Sequence, residues 1–221
     1  MFASGTGSNF EAILKACGKG QIESRIKLLI TNNSGCGAVE IARRYGVNVM
    51  HVSRKVYPGL NEREYGAKFL QILNENEIDF IALAGYMKIL PEEVVMHFEN
   101  RIINIHPALL PSFGGKGMYG INVHKAVIEA GVKVTGITIH YVNTEYDKGK
   151  IIYQKCVEVD ESDDEYSLQK KVLKKLRQGY FGVDAEIDRT FLEMAEARLP
   201  HVGGGVVPLL KGIQGCAVIH A

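Results

Sequence analysis

The alternation of short apolar runs with longer amphipathic segments constrains the fold of this chain most strongly. Apolar runs typical of strands cover residues 1–4, 26–31, 47–52, 80–84, 101–105, 133–143 and 151–158. Amphipathic segments typical of helices cover residues 9–17, 37–45, 62–76, 91–97, 123–130 and 167–180, with another near residues 184–197. Strands that alternate with helices in this way are typical of βαβ units and a parallel sheet.

The order of these segments predicts an α/β fold. Helices separate the first five strands, whereas the last two strands follow one another closely. We therefore predict an open, mostly parallel, Rossmann-like sheet with helices on both faces and an antiparallel C-terminal hairpin. Residues 1–200 are expected to form one domain, followed by a Gly-rich tail at 201–221. The first strand is shorter than the roughly five residues of a typical strand, as expected of a truncated start.

Composition excludes several classes of protein. Lys plus Arg is 26 and Asp plus Glu is 25, so no basic excess indicates a nucleic-acid partner. The four cysteines are widely spaced and contain no C-x-x-C pair, which predicts free thiols in a reducing compartment rather than a zinc site. No apolar run approaches the roughly 20 residues of a membrane helix, and no signal-peptide pattern is present. We therefore expect a cytoplasmic protein without membrane, nucleic-acid or metal partners; the oligomeric state stays open.

A Gly-rich turn, Ser4-Gly5-Thr6-Gly7-Ser8-Asn9, joins the first predicted strand to the first predicted helix. Small residues let backbone N–H groups point at an anion, and the positive end of the helix dipole adds to the attraction. The turn therefore predicts a phosphate site. A tight turn with an ordinary helix cap is the alternative, because Ser and Asn are good N-caps. The turn matches neither the P-loop nor the dinucleotide-binding pattern.

An Asn-x-His-Pro segment ends the fifth predicted strand. Asn104 and His106 are two residues apart and so share a face at the carboxyl end of a parallel strand, where ligands of open α/β sheets bind. A histidine can act as acid or base near neutral pH, and an Asn amide can donate to a developing oxyanion. The alternative is a histidine satisfied by a backbone carbonyl. Further along, His124 is either a second group of the site or a helix-surface histidine.

Asp147 lies in the turn between the last two predicted strands. Asp and Gly are ordinary turn formers, so Asp147 is accounted for by the turn alone. Alternatively its carboxylate pairs with His106, holds the imidazole and raises the pKa of that ring. Composition does not choose between these two interpretations.

Taken together, these motifs resemble one family. The segments S-G-T-G-S-N, A-G-Y-M-K-I-L and N-I-H-P-A-L-L-P and the late Asp-x-Gly occur in the order found in phosphoribosylglycinamide formyltransferases. The N-x-H-P-x-L-L-P block is specific for the wider group of formyl-folate transferases and hydrolases. The resemblance implies that the formyl group of 10-formyltetrahydrofolate is transferred to the amine of glycinamide ribonucleotide in de novo purine biosynthesis.

The resemblance also implies roles for individual residues. Its catalytic residues would be Asn104, His106 and Asp147, and its phosphate-binding residues would be Gly7, Ser8 and Asn9. Its folate-binding residues would be Arg63, Met87, Lys88, Ile89, Leu90 and Asn104. Lys88 stands where relatives commonly carry Arg. Arg63 would meet the acidic tail of the folate; without the resemblance it would be interpreted as a solvated helix charge.

The sequence departs from the family pattern after Ser167. Relatives carry a Glu that contacts the ribonucleotide, and here Leu176 or Arg177 takes its place, while Gly182 stands where Pro is usual. Three alternatives therefore stay open. They are a formyl-folate hydrolase, a sugar-amine formyltransferase of the same group, and a non-catalytic relative that binds folate or nucleotide.

Overall fold

The computed structural model describes residues 1–22 and 24–180, with side chains through residue 175. Its helices are α1 (Ser8–Gly18), α2 (Gly37–Arg44), α3 (Glu62–Glu75), α4 (Glu92–His97), α5 (Ile121–Glu129) and α6 (Glu165–Tyr180). Its strands are β1 (Leu28–Thr31), β2 (Asn48–His51), β3 (Ile81–Leu83), β4 (Ile102–His106), β5 (Val134–Tyr141) and β6 (Ile151–Glu158). The helix predicted near 184–197, the domain end at 200 and the tail at 201–221 lie outside the described residues.

The strands form one open sheet in the order β2-β1-β3-β4-β5-β6, with Phe2 joining its two halves. β1 pairs in parallel with β2, and β3 pairs in parallel with β4. Phe2 forms parallel bridges to Ile30 on one side and Leu83 on the other. β5 runs antiparallel to both β4 and β6. The predicted mostly parallel sheet with an antiparallel hairpin is therefore confirmed.

Within the predicted strand at residues 1–4, only Phe2 forms bridges to both neighbours, although Met1, Ala3 and Ser4 also make backbone hydrogen bonds to the flanking segments. The Phe2 N–H donates to the Ala82 carbonyl, and the Ala84 N–H donates to the Phe2 carbonyl. The chain then leaves the ladder, because Ser4 already begins the turn that enters α1 at Ser8. The Phe2 side chain is only 1% exposed and packs against the rings of Phe69 and Tyr86. Its burial contributes about 1.5–3 kcal/mol, which anchors the short segment mid-sheet.

Helices cover both faces of the sheet, as predicted. Successive strand residues point to opposite faces, and on β3 Ile81 and Leu83 pack into one core while Ala82 packs into another. The first core includes buried residues of α3 and α4, namely Phe69, Ile72, Leu73, Val94 and Val95. The other face is packed by α1, α2, α5 and α6. We call these two sets of helices the α3 layer and the α1 layer.

The sheet brings three loops to one edge. Phe2, β3 and β4 are adjacent and parallel, so the segments that follow them leave from the same carboxyl edge. Such an edge is where open α/β sheets bind ligands. None of the helices in the described part of the chain is long and apolar enough to cross a membrane.

Candidate active site

A cavity of about 630 Å³ opens at this carboxyl edge. That volume lies in the range of sites that enclose small organic ligands. It is lined by residues 5–9, 83–90, 95, 104–107, 115–120, 124, 140, 142–143, 145–147, 169 and 173. The loops after Phe2, β3 and β4 therefore meet around one space.

The structure gathers almost every predicted site residue at this cavity. The residues brought together are Gly7, Ser8, Asn9, Met87, Lys88, Ile89, Leu90, Asn104, His106, His124 and Asp147. Arg63 is the exception, since it is exposed in the first turn of α3 and does not line the cavity. Its contact with a folate tail stays a prediction. The departures at Leu176 or Arg177 and at Gly182 lie outside the side chains that the structure describes.

The Gly-rich turn is shaped by close packing against α2. Gly7 has a φ of 77° and is the N-cap of α1, which has no side-chain cap. A Cβ on Gly7 would lie 2.6 Å from Ala38 Cα, so no larger residue fits without movement. Asn9 Oδ1 is buried and has no hydrogen-bond partner among the described residues. The uncapped helix start therefore presents its backbone N–H groups at the cavity, as an anion site requires.

Asn104 is held by a histidine on the neighbouring strand. Asn104 and His140 lie directly opposite each other on β4 and β5, with 3.2 Å between Asn104 Nδ2 and His140 Nε2. His140 Nδ1 donates to the Tyr141 carbonyl at 2.8 Å, so Nε2 of the neutral ring is an acceptor. When the ring of His140 is neutral, Nε2 therefore accepts from the Asn104 amide. This contact orients the Asn104 amide with its NH2 group toward His140. The second N–H of that group is left to donate to a ligand.

His106 has different surroundings at its two ring nitrogens. Nε2 donates to the Phe113 carbonyl at 2.8 Å, and Nδ1 lies 3.7 Å from Asp147 Oδ2. A backbone carbonyl therefore satisfies Nε2, as one of the two sequence interpretations expected of this histidine. Nδ1 of the neutral ring keeps a free lone pair. Burial lowers the pKa of His106; the Asp147 carboxylate and the Phe113 carbonyl oppose that shift, and His140 adds to it. Nδ1 is therefore the atom placed to take up a proton.

Asp147 connects the two histidines. Its Oδ2 accepts from the Gly115 N–H at 2.9 Å, and its Oδ1 lies 3.6 Å from His140 Nε2. Burial acts to raise the pKa of Asp147, but contacts with His140, the Gly115 N–H and His106 outweigh it and hold the pKa below its ordinary value. Asp147 is therefore an anion at neutral pH. A positive charge on His106 would be stabilised by this neighbour.

Sequence reasoning missed His140. The residue is buried, and its relation to Asn104 arises from the pairing of β4 with β5. The sequence feature that points to His140 is Gly149, the glycine of the late Asp-x-Gly. A Cβ there would overlap the Tyr141 carbonyl oxygen and lie 3.5 Å from His140 Nδ1. Glycine at this position therefore lets the turn approach the carbonyl that holds the ring of His140.

The segment after β3 forms an apolar wall of the cavity. Met87 and Ile89 are 48% and 54% exposed, while Leu90 is buried. Ser4 holds this segment against the Gly-rich turn, because its Oγ accepts from the Met87 N–H at 3.0 Å and donates to Asn32 Oδ1. Exposed apolar side chains beside such a cavity suit an apolar part of a ligand.

His124 lies inside the site rather than on the helix surface. It is 2% exposed on α5 and lines the cavity. Burial, together with the nearby His106, lowers the pKa of His124 to about 4, so the ring is neutral at pH 7. Of the two alternatives for this residue, the helix-surface histidine is wrong. Among residues 1–22 and 24–180, no group of three or more His, Cys, Asp or Glu side chains is placed to hold a metal ion.

Comparison with known proteins identifies the family to which this chain belongs. Residues 1–183 match the formyl transferase family. The chain is 42% identical over 203 residues to the chloroplastic phosphoribosylglycinamide formyltransferase of Arabidopsis thaliana. The matched region covers 90% of this chain and 68% of that protein. It is 35% identical over 174 residues to the phosphoribosylglycinamide formyltransferase of Bacillus subtilis, covering 79% of this chain and 86% of that protein.

A solved structure agrees with these sequence matches. The crystal structure of glycinamide ribonucleotide transformylase 1 from Symbiobacterium toebii superposes with a TM-score of 0.78 at 34% identity, covering 89% of this chain and 86% of that one. The chain therefore belongs to the formyl transferase family and, within it, to the phosphoribosylglycinamide formyltransferases. The resemblance inferred from its motifs is confirmed.

Proposed function

We propose that this protein transfers the formyl group of 10-formyltetrahydrofolate to the amine of glycinamide ribonucleotide, a step of de novo purine biosynthesis. The observation that carries the proposal is the convergence of Asn104, His106 and Asp147 in one cavity. That cavity lies between an uncapped helix start and an apolar wall. The relatives named above act in the same reaction class.

Each substrate has a matching part of the cavity. The phosphate of the ribonucleotide would be held by backbone N–H groups of Gly7, Ser8 and Asn9 at the start of α1. The pterin and benzoyl rings of the folate would lie along Met87, Ile89 and Leu90, with Lys88 near the solvent side. In this arrangement the amine and the formyl carbon would lie beside Asn104 and His106.

The chemistry follows from the donor and acceptor groups of the residues that line the cavity. The substrate amine attacks the formyl carbon and forms a tetrahedral intermediate whose oxygen carries negative charge. The free N–H of Asn104 Nδ2 donates to that oxygen. His106 Nδ1 takes up the proton that the amine loses, and Asp147 stabilises the resulting imidazolium. The proton then passes to the folate nitrogen, directly or through a water, as the bond from carbon to that nitrogen breaks.

The co-substrate is 10-formyltetrahydrofolate, and the reaction requires no metal, nucleic acid or membrane. We propose a cytoplasmic location, although the Arabidopsis relative is named as chloroplastic. Localisation of the tagged protein in its own cells tests this point.

The decisive experiment follows the appearance of deformylated folate from 10-formyltetrahydrofolate with and without glycinamide ribonucleotide. Turnover that requires the ribonucleotide supports the proposal, and the His106→Ala variant is the matched inactive control. Turnover without the ribonucleotide would instead identify a hydrolase. Binding of an inert folate analogue without turnover in either case would identify a non-catalytic binding protein.

A further inference from the structure

We infer that His124 is a direct contact of the acceptor substrate and hydrogen-bonds its glycinamide end beside His106. The inference rests on the proposed function and extends it by one substrate-binding residue. His124 Nδ1 is buried and has no hydrogen-bond partner among the described residues. Most buried polar atoms are paired, and an unpaired one costs about 1–3 kcal/mol.

The unpaired ring borders the substrate cavity rather than a closed interior. His124 lines the same cavity as His106. The terminal torsion of a histidine side chain is broad and roughly two-fold, so rotation of the ring can turn Nδ1 toward a ligand atom in the cavity. A ligand atom in the cavity would therefore supply the missing partner. Asn9, whose Oδ1 is also buried without a hydrogen-bond partner among the described residues, lines the same cavity.

The layers of the fold assign His124 to the acceptor rather than to the folate. His124 lies on α5, and α5 packs beside α6, which in turn packs beside α1. The Gly-rich turn that begins α1 belongs to the same layer. The apolar wall at residues 87–90 instead leads into α4, in the α3 layer on the opposite face of the sheet. His124 therefore stands in the same layer as the start of α1, on the side of the cavity that the acceptor substrate would occupy.

Electrostatics define what His124 can contribute. Its ring is neutral at pH 7, so it offers one N–H donor and one lone pair. A base that weak does not remove the proton of the amine, which leaves proton transfer to His106. A neutral neighbour also avoids the repulsion that two charged imidazoles would create when His106 takes up a proton. Its role is thus to orient the acceptor by hydrogen bonding.

The test measures KM for each of the two substrates in variants of His124. His124→Phe keeps a planar ring and removes both nitrogens, whereas His124→Asn restores a donor and an acceptor. Lys125→Ala, an exposed residue on the same helix, is the control. We expect His124→Phe to raise KM for glycinamide ribonucleotide about tenfold or more, with KM for 10-formyltetrahydrofolate within about twofold. His124→Asn should recover part of the loss, and calorimetric titration with ribonucleotide should show the same order.

Two results would overturn the inference. One is an unchanged KM for the ribonucleotide in His124→Phe, and the other is an equal rise in both KM values with a lowered melting temperature, which indicates packing alone. His124→Leu replaces His124→Phe if the larger ring prevents folding. An unmodified protein without ribonucleotide-dependent turnover would instead contradict the proposed function, so the two failures are distinguishable.

Discussion

Asn104 and His140 lie opposite each other on antiparallel strands, and Asn104 Nδ2 is 3.2 Å from His140 Nε2. His140→Phe removes the acceptor that orients the Asn104 amide. We expect kcat to fall by about tenfold or more. The decrease should not exceed the roughly 10²–10³-fold decrease in kcat that follows the removal of an entire oxyanion donor. Steady-state kinetics should show little change in KM for either substrate.

A double-mutant cycle decides whether His140 acts through Asn104. If it does, Asn104→Ala with His140→Phe should be no slower than Asn104→Ala alone, because the two residues serve one interaction. Additive losses would show that His140 acts on Asp147 or on the fold instead.

His106 is expected to be the proton acceptor. His106→Ala removes Nδ1, which lies 3.7 Å from Asp147 Oδ2, and kcat should fall by about 10²-fold or more. Binding of the ribonucleotide, measured by calorimetry, should change little, since the phosphate contacts are at the start of α1. Near-normal turnover would contradict the catalytic role of this histidine.

Asp147 is expected to set the pH dependence of the reaction. Its carboxylate raises the pKa of His106 against the lowering effect of burial. Asp147→Asn removes that charge, so the pKa of His106 should fall further. The acidic limb of the profile of kcat/KM against pH should then move to lower pH, and kcat should decrease because the imidazolium is less stable. An unchanged profile would show that Asp147 is only a turn residue.

Gly149 is expected to tolerate no side chain. A Cβ there would overlap the Tyr141 carbonyl oxygen, whereas Gly59 has open space around it. Gly149→Ala should lower the free energy of unfolding by about 1–3 kcal/mol, as measured in urea, and should also reduce kcat by displacing His140. Gly59→Ala should change stability by less than about 0.5 kcal/mol. Equal losses of stability in Gly149→Ala and Gly59→Ala would contradict the close approach of Gly149 to the Tyr141 carbonyl oxygen.

Much of the fold could be predicted because apolar periodicity is local. The segment predicted as a strand at 101–105 is β4 at Ile102–His106, and the segment predicted as a helix at 62–76 is α3 at Glu62–Glu75. The first strand is the main difference. Backbone hydrogen bonds tie residues 1–4 to the flanking segments, yet only Phe2 forms bridges to both neighbours, because Ser4 already begins the turn that leads into α1.

The sequence by itself determined the alternation of strands and helices, the Asn104–His106 pair on one strand face, and the motifs that identify the family. Tertiary structure alone decided which atoms meet. Asn104 and His140 are 36 residues apart, and only the register of β4 against β5 brings them into contact. Packing likewise placed His124 inside the cavity and left Arg63 outside it. Periodicity reports the face on which a residue lies, whereas partners across a sheet depend on contacts between distant segments.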